Sequence, residues 1–107
     1  MENNPLLTKV LPSLAHRIKE FFISNSRLEL AIQVDDLRIK EMCECGEPDC
    51  GSFYLTQYID NEKKLEGFAF EGIGTIEVCE GKISFIEIFS SKIGNEIHTK
   101  LRAILLS

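Results

Sequence analysis

The stretch that decides the fold reads TIEVCEGKISFIEIF and occupies residues 75–89. Apolar and polar side chains alternate on both sides of Glu80 and Gly81, which is the pattern of two half-buried strands. A glycine in the second of two central positions suits a two-residue turn. The stretch therefore predicts a β-hairpin over residues 75–89 that turns at Glu80 and Gly81.

The position of the turn also predicts which side chains share a face of the hairpin. Counting outward from it, Val78 faces Ile83 and Ile76 faces Phe85 on one side. The other side then carries Ile86 and Ile88, with two tyrosines of a neighbouring strand beside them. This predicted partner-binding patch comprises Tyr54, Tyr58, Ile86 and Ile88. If the helices lie on the opposite face, the patch binds a partner protein or a second copy of the chain, whereas a helix crossing this side would bury it.

Outside the hairpin, the N-terminal part of the chain predicts a helix over residues 10–24. Its apolar side chains recur at helical spacing, at Leu11, Leu14, Ala15, Ile18, Phe21 and Phe22. Pro12 suits the first turn, and Asn25 with Ser26 suits the stop. We expect residues 1–9 to form a loosely held arm.

The remaining segments predict further strands and one closing helix. Alternation predicts strands in residues 28–34, 37–40 and 53–59, and an extended stretch that begins at residues 68–70. Asp35 and Asp36 separate the first two strands, and we favour a hairpin turn there over a bulge. Asn95 predicts the cap of a final helix, whose apolar stripe is Ile97, Leu101, Ile104 and Leu105.

This order of elements predicts an α+β fold. A helix, about five strands joined by short connections, and a second helix give a single antiparallel sheet with both helices packed on one face. The length of 107 residues suits a single domain over residues 1–107.

Charge and composition restrict the classes of partner. The chain carries 12 Lys and Arg against 17 Asp and Glu, a net charge of -5, which argues against nucleic-acid binding. No apolar run reaches the roughly 18 residues of a membrane span. The first ten residues, MENNPLLTKV, lack the basic-then-apolar order of a signal peptide, so we expect a cytoplasmic protein without membrane contact.

The candidate metal-binding or reactive side chains lie in the cysteine loop, residues 41–51, which holds Cys43, Cys45 and Cys50. In an extended strand Cys43 and Cys45 leave the same face, and the glycines of the loop permit a reversal that returns Cys50 to them. Three converging thiolates match the tetrahedral preference of zinc. A structural zinc site needs a fourth ligand, for which the candidates are Cys79, then His98 as its substitute, then a loop carboxylate such as Asp49.

Two other interpretations of the loop remain open. Cysteines are often buried packing residues, so the three could simply fill a turn. A reactive thiol is disfavoured, because the loop holds Glu41, Glu44, Glu47 and Asp49 and no basic residue, and neighbouring carboxylates oppose thiolate formation.

The sequence therefore predicts a small cytoplasmic binding protein with a structural zinc site in its cysteine loop. One concrete version is an inhibitor or immunity-type protein whose acidic surface covers a basic partner. The alternative is a thiol- or metal-dependent enzyme that uses Cys43, Cys45 and Cys50. The sequence assigns no catalytic residue, and binding is favoured over catalysis.

Overall fold

The computed structural model describes residues 4–43, 50–57, 65–70 and 72–105. Within these residues the strands form one antiparallel five-stranded sheet in the order β1-β2-β5-β4-β3. The elements are α1 (Leu7–Val10), α2 (Pro12–Ser24), α3 (Leu28–Ala31), a 3₁₀ turn (Val34–Asp36), β1 (Ile39–Met42), β2 (Phe53–Leu55), β3 (Leu65–Phe70), β4 (Gly74–Cys79), β5 (Lys82–Ile88) and α4 (Ser91–Leu105). The predicted α+β fold, with an antiparallel sheet and helices at both ends of the chain, is confirmed.

The β4–β5 hairpin turns where the sequence predicts. Glu80 and Gly81 have φ values of 49° and 80°, the left-handed backbone that a two-residue hairpin turn requires. Cys79 opposes Lys82 directly across the turn. The predicted turn is therefore confirmed.

A bulge at the third residue after the turn changes which face the later β5 side chains occupy. Val78 opposes Ile83, as predicted, but Ile76 opposes Ile86 and not Phe85. The extra residue on β5 is Ser84, and an unmatched residue reverses the alternation that follows it. The predicted position of Ile86 and Ile88 on the outer face is thus wrong: they are 0% and 6% exposed and belong to the core.

Residues 4–9 dock on the domain, so they are not the loose arm predicted. Leu7 is buried in the core, and its backbone N–H donates to the carbonyl of Leu37 at 2.8 Å. Helix α2 begins at Pro12, whose missing N–H costs nothing at a first helical position. It ends where predicted, with the Asn25 side chain donating to the carbonyl of Phe21 at 2.7 Å and Ser26 at φ 59°.

Residues 28–36 depart most from the prediction. The expected strand over residues 28–34 is wrong, because Leu28–Ala31 form a helix. Asp35 and Asp36 lie in the 3₁₀ turn and not in a hairpin. Leu30, Ala31 and Val34 are the buried residues, and this spacing is helical, so burying them gives the segment its helical turns.

The inner face of the sheet and the helices share a single hydrophobic cluster. Phe21 and Phe22 of α2 meet β3 edge-to-face: Phe21 lies 5.4 Å from Phe70 and Phe22 lies 5.4 Å from Phe68, measured between ring centroids. At the other end of the chain, α4 begins at Ser91, ahead of the predicted cap, and Ile97 and Leu101 are its buried apolar residues while Ile104 is exposed. None of the helices in the described part of the chain is long and apolar enough to cross a membrane.

Candidate functional site

The cysteine loop leaves the sheet at the end of β1 and returns at the start of β2. The N–H of Cys43 donates to the carbonyl of Ser52 at 2.9 Å, which closes the base of the loop. Ser52 is buried, and its Oγ accepts the N–H of Ile88 at 2.9 Å. Cys43 and Cys50 are half-buried at this end of the sheet. Cys45 and Asp49 lie outside the described residues.

Helix α4 is pressed against the returning arm of the loop at Gly51. A Cβ atom on Gly51 would lie 2.7 Å from the Cα of Gly94 and 2.8 Å from its carbonyl oxygen, well inside normal contact distance. Only a residue without a side chain lets the two backbones approach this closely. The Gly51–Gly94 contact thereby holds the loop against α4.

This contact brings His98 to the cysteine loop. The Nδ1 atom of His98 lies 3.2 Å from the carbonyl oxygen of Cys50. A carbonyl oxygen can only accept, so Nδ1 carries the hydrogen in this bond. The Nε2 atom of the neutral ring then keeps the lone pair, which is the usual arrangement of a histidine metal ligand.

Cys79, the first candidate for a fourth ligand, lies at the opposite end of the sheet. It opposes Lys82 beside the hairpin turn, whereas the loop base lies level with Ile88, which opposes Gly74. Cys79 lies five positions along the strand from Gly74, which corresponds to about 17 Å at about 3.3 Å per residue. Cys79 is also 2% exposed. The structure therefore brings His98, and not Cys79, to Cys50.

A ready-made metal cluster is absent from the part of the chain that the structure describes: no three His, Cys, Asp or Glu side chains there come together in a way that could hold a metal ion. Of the predicted ligands, Cys43, Cys50, Cys79 and His98 fall within that search. Cys43, Cys50 and His98 therefore do not come together as a ligand group in this structure, and Cys45 lies outside the described residues.

The second candidate site is the outer face of the sheet, which points away from the helical layer. Strand pairing aligns one residue from each strand in a row across this face. The row runs Glu41, Tyr54, Phe85, Glu77, Gly67 from β1 to β3. The neighbouring row runs Glu87, Thr75, Ala69. Neither of these two rows contains a lysine or an arginine, whereas the row toward the hairpin turn contains Lys82, which opposes Cys79 and is exposed.

Tyr54 and Phe85 form the aromatic centre of this face, with their ring centroids 4.6 Å apart and the rings tilted by 40°. Both side chains are half-buried. Glu77 opposes Phe85 directly. Burial and the neighbouring charge of Glu87 raise the pKa of the Glu77 carboxyl above its ordinary value. The charged form of Glu77 is therefore disfavoured unless a positive group lies beside it.

Of the four residues predicted for a partner patch, Tyr54 lies on the outer face, Ile86 and Ile88 lie in the core, and Tyr58 lies outside the described residues. The prediction missed Phe85, Glu77 and Glu87. One signal for Phe85 was available: strict alternation from Ile83 would have placed Glu87 on the buried face. A charge on that face is a reason to expect a bulge between them.

Comparison of the chain with protein-family models, with curated proteins and with solved structures finds no match.

Proposed function

We propose that this chain is a small protein-binding domain of the inhibitor or immunity type, which covers a basic surface of its partner with the outer face of its sheet. The observation that supports it best is the row in which Tyr54 and Phe85 stand between Glu41 and Glu77. Aromatic centres with a polar rim are typical of protein interfaces. The net charge of -5 would also steer a basic partner toward the domain.

The geometry favours a lysine or arginine of the partner at this centre. A cation over the Tyr54 and Phe85 rings gains a cation–π interaction, and carboxylates beside the rings can pair with it. Glu77 and Glu87 form no ion pair with the described residues. A cation placed there would relieve the repulsion between them.

Titration of the ¹⁵N-labelled domain with an oligolysine peptide, followed by NMR, tests the proposal. We expect the largest amide shifts in β2, β4 and β5. The double variant Glu77→Gln/Glu87→Gln should weaken binding by about tenfold, or about 1.4 kcal/mol. Glu20→Gln/Glu96→Gln is the matched control, since it removes the same charge from exposed positions of α2 and α4.

The control variant should keep the wild-type affinity apart from a small general charge effect. If both double variants weaken binding equally, the peptide recognises net charge alone and the proposed face is wrong. Shifts that map to the helices would contradict the proposal in the same way.

We further propose that the cysteine loop is a structural zinc clip, with Cys43, Cys45, Cys50 and His98 as its four ligands. What supports His98 is its hydrogen bond to the Cys50 carbonyl, because metal-bound histidines commonly donate their other ring N–H to a backbone carbonyl that orients the ring. Because Cys43, Cys50 and His98 do not form a ligand group in the described structure, zinc would have to draw these side chains together, and it would then tie the loop to α4. Its role would be stability and not catalysis, because all four positions would be filled by the protein.

Zinc analysis of protein purified under reducing conditions tests the clip. We expect about one zinc per chain in the wild type, and a loss of zinc together with a lower melting temperature in Cys50→Ser and in His98→Ala. Cys79→Ser is the matched control, because it removes a thiol at the far end of the sheet and should keep its zinc.

A melting curve that does not respond to a chelator would contradict a structural zinc. Retention of zinc in His98→Ala would contradict the ligand set. The thiol-dependent enzyme stays a prediction, which the alkylation rates of the same variants address: it requires one unusually fast cysteine.

A further inference from the structure

The two edges of the sheet differ in how they are protected. On the β1 side, the N-terminal segment pairs with the edge: Leu6 forms a bridge with Arg38, and the N–H of Ile39 donates to the carbonyl of Pro5 at 2.9 Å. Strand β1 is also short and its register shifts between Ile39 and Glu41. Bulges, short strands and covering segments are the usual means of blocking an edge.

Strand β3 has none of these protections among the described residues. Its six residues, Leu65–Phe70, pair with β4 in unbroken register, and no other described strand pairs with β3. The sequence LEGFAF contains no proline and no lysine. Its single charge, Glu66, lies 3.6 Å from the guanidinium of Arg27, which also pairs with Glu29 and so offsets the Glu66 charge only in part. An edge of this length without a bulge and with a single charged residue is a template for another strand.

We propose that β3 pairs with β3 of a second copy of this chain, antiparallel and centred on Phe68, to give a continuous ten-stranded sheet across a two-fold axis. This interface is independent of the proposed partner surface, because it uses the edge of the sheet and leaves the outer face open on both copies.

Self-complementarity selects a second copy as the occupant. In the Phe68-centred register, Phe68 faces its own symmetry mate, and Glu66 faces Phe70, so the two Glu66 side chains do not oppose each other. The guanidinium of Arg27 lies 5.2 Å from the Phe68 ring centroid, and each copy of it stays beside its own Glu66. Phe68 is half-buried, and its ring packs edge-to-face on Phe22 with the ring centroids 5.4 Å apart. A second Phe68 would extend this aromatic cluster across the axis.

The outer face of the same register makes the pairing testable. Gly67 of one copy would face Ala69 of the other, twice in each dimer. Space is available for larger side chains, since a Cβ on Gly67 meets only the Thr75 methyl group at 3.8 Å. Within the monomer, Gly67 opposes Glu77 and Ala69 opposes Thr75, so a lysine at either position is tolerated by its own sheet.

Sedimentation of the wild type and of two charge variants tests the proposal. We expect the wild type to reach twice the chain mass of 12.1 kDa at high concentration. The variant Gly67→Lys/Ala69→Lys opposes two lysine pairs across the axis and should raise the dimer dissociation constant by about tenfold or more. Gly67→Lys/Ala69→Glu is the matched control, since it opposes lysine to glutamate at the same positions and should dimerise at least as well as the wild type.

Thermal melts establish that both variants fold. A wild type that stays monomeric up to millimolar concentration overturns the proposal without reference to either variant. If both variants dimerise as strongly as the wild type, the proposal is wrong as well, because the contact between the copies would then lie elsewhere. Equal loss of dimerisation in both overturns the register centred on Phe68.

Discussion

Replacing Gly51 by alanine tests the contact that brings α4 and His98 to the cysteine loop. The new Cβ would lie 2.7 Å from the Cα of Gly94 and 3.0 Å from the Cβ of Ile97. Carbon atoms in contact normally stand about 3.5–4.0 Å apart, so α4 must move away by roughly 1 Å. Forcing an extra methyl group into a packed site costs about 1–3 kcal/mol, against a gain of about 0.5 kcal/mol from the less flexible unfolded chain. We expect a net loss of about 1.5 kcal/mol.

Thermal and urea unfolding measure this loss. For a domain of this size, about 1.5 kcal/mol corresponds to a fall in melting temperature of about 7 °C. Gly67→Ala is the matched control, because its Cβ meets only one methyl group at 3.8 Å and should leave stability within about 0.5 kcal/mol of the wild type. If Gly51→Ala melts within about 2 °C of the wild type, the inferred close contact between the loop and α4 is wrong.

The remaining predictions concern the hairpin turn and the outer face. Gln33→Ala should lower the free energy of unfolding by about 2 kcal/mol. The Gln33 side-chain amide donates to the carbonyl of Gly81 at 2.7 Å and accepts the N–H of Ile83 at 3.0 Å, and the variant loses both bonds. An unchanged midpoint in urea unfolding would contradict a role for Gln33 in holding the turn. Glu77→Gln should stabilise the domain at neutral pH, since burial and Glu87 raise the Glu77 pKa and so make its charged form unfavourable in the folded state. The gain should shrink as the pH falls through the carboxyl range, where Glu77 itself becomes neutral, and a gain that is independent of pH would contradict the assigned cause.

The cysteine loop shows how far sequence reasoning reaches into a site. The spacing of Cys43, Cys45 and Cys50 predicts a candidate metal-binding loop. This prediction needs only residues that are close together in the sequence. The choice between Cys79 and His98 depends on which distant segment reaches the loop. The strand order leaves Cys79 at the far end of the sheet, and the Gly51–Gly94 contact brings His98 to the carbonyl of Cys50.

Segment 28–34 shows a different limit. The same residues satisfy both alternation and helical spacing, and a short apolar run does not distinguish the two. Packing favours helical turns over a strand. The turns bury Leu30 of α3 and Val34 of the 3₁₀ turn, and they leave Leu28 and Ile32 61% and 68% exposed.

By itself, the sequence determined what rests on local patterns: the end of helix α2, the turn at Glu80 and Gly81, and the α+β class with an antiparallel sheet. Only the tertiary structure decided that the bulge falls at Ser84 and which remote residues meet the cysteine loop. The physical reason is that the faces of a strand alternate with a period of two, so a single unmatched residue exchanges core and surface. Thus Phe85 lies on the outer face beside Tyr54, and Ile86 lies in the core.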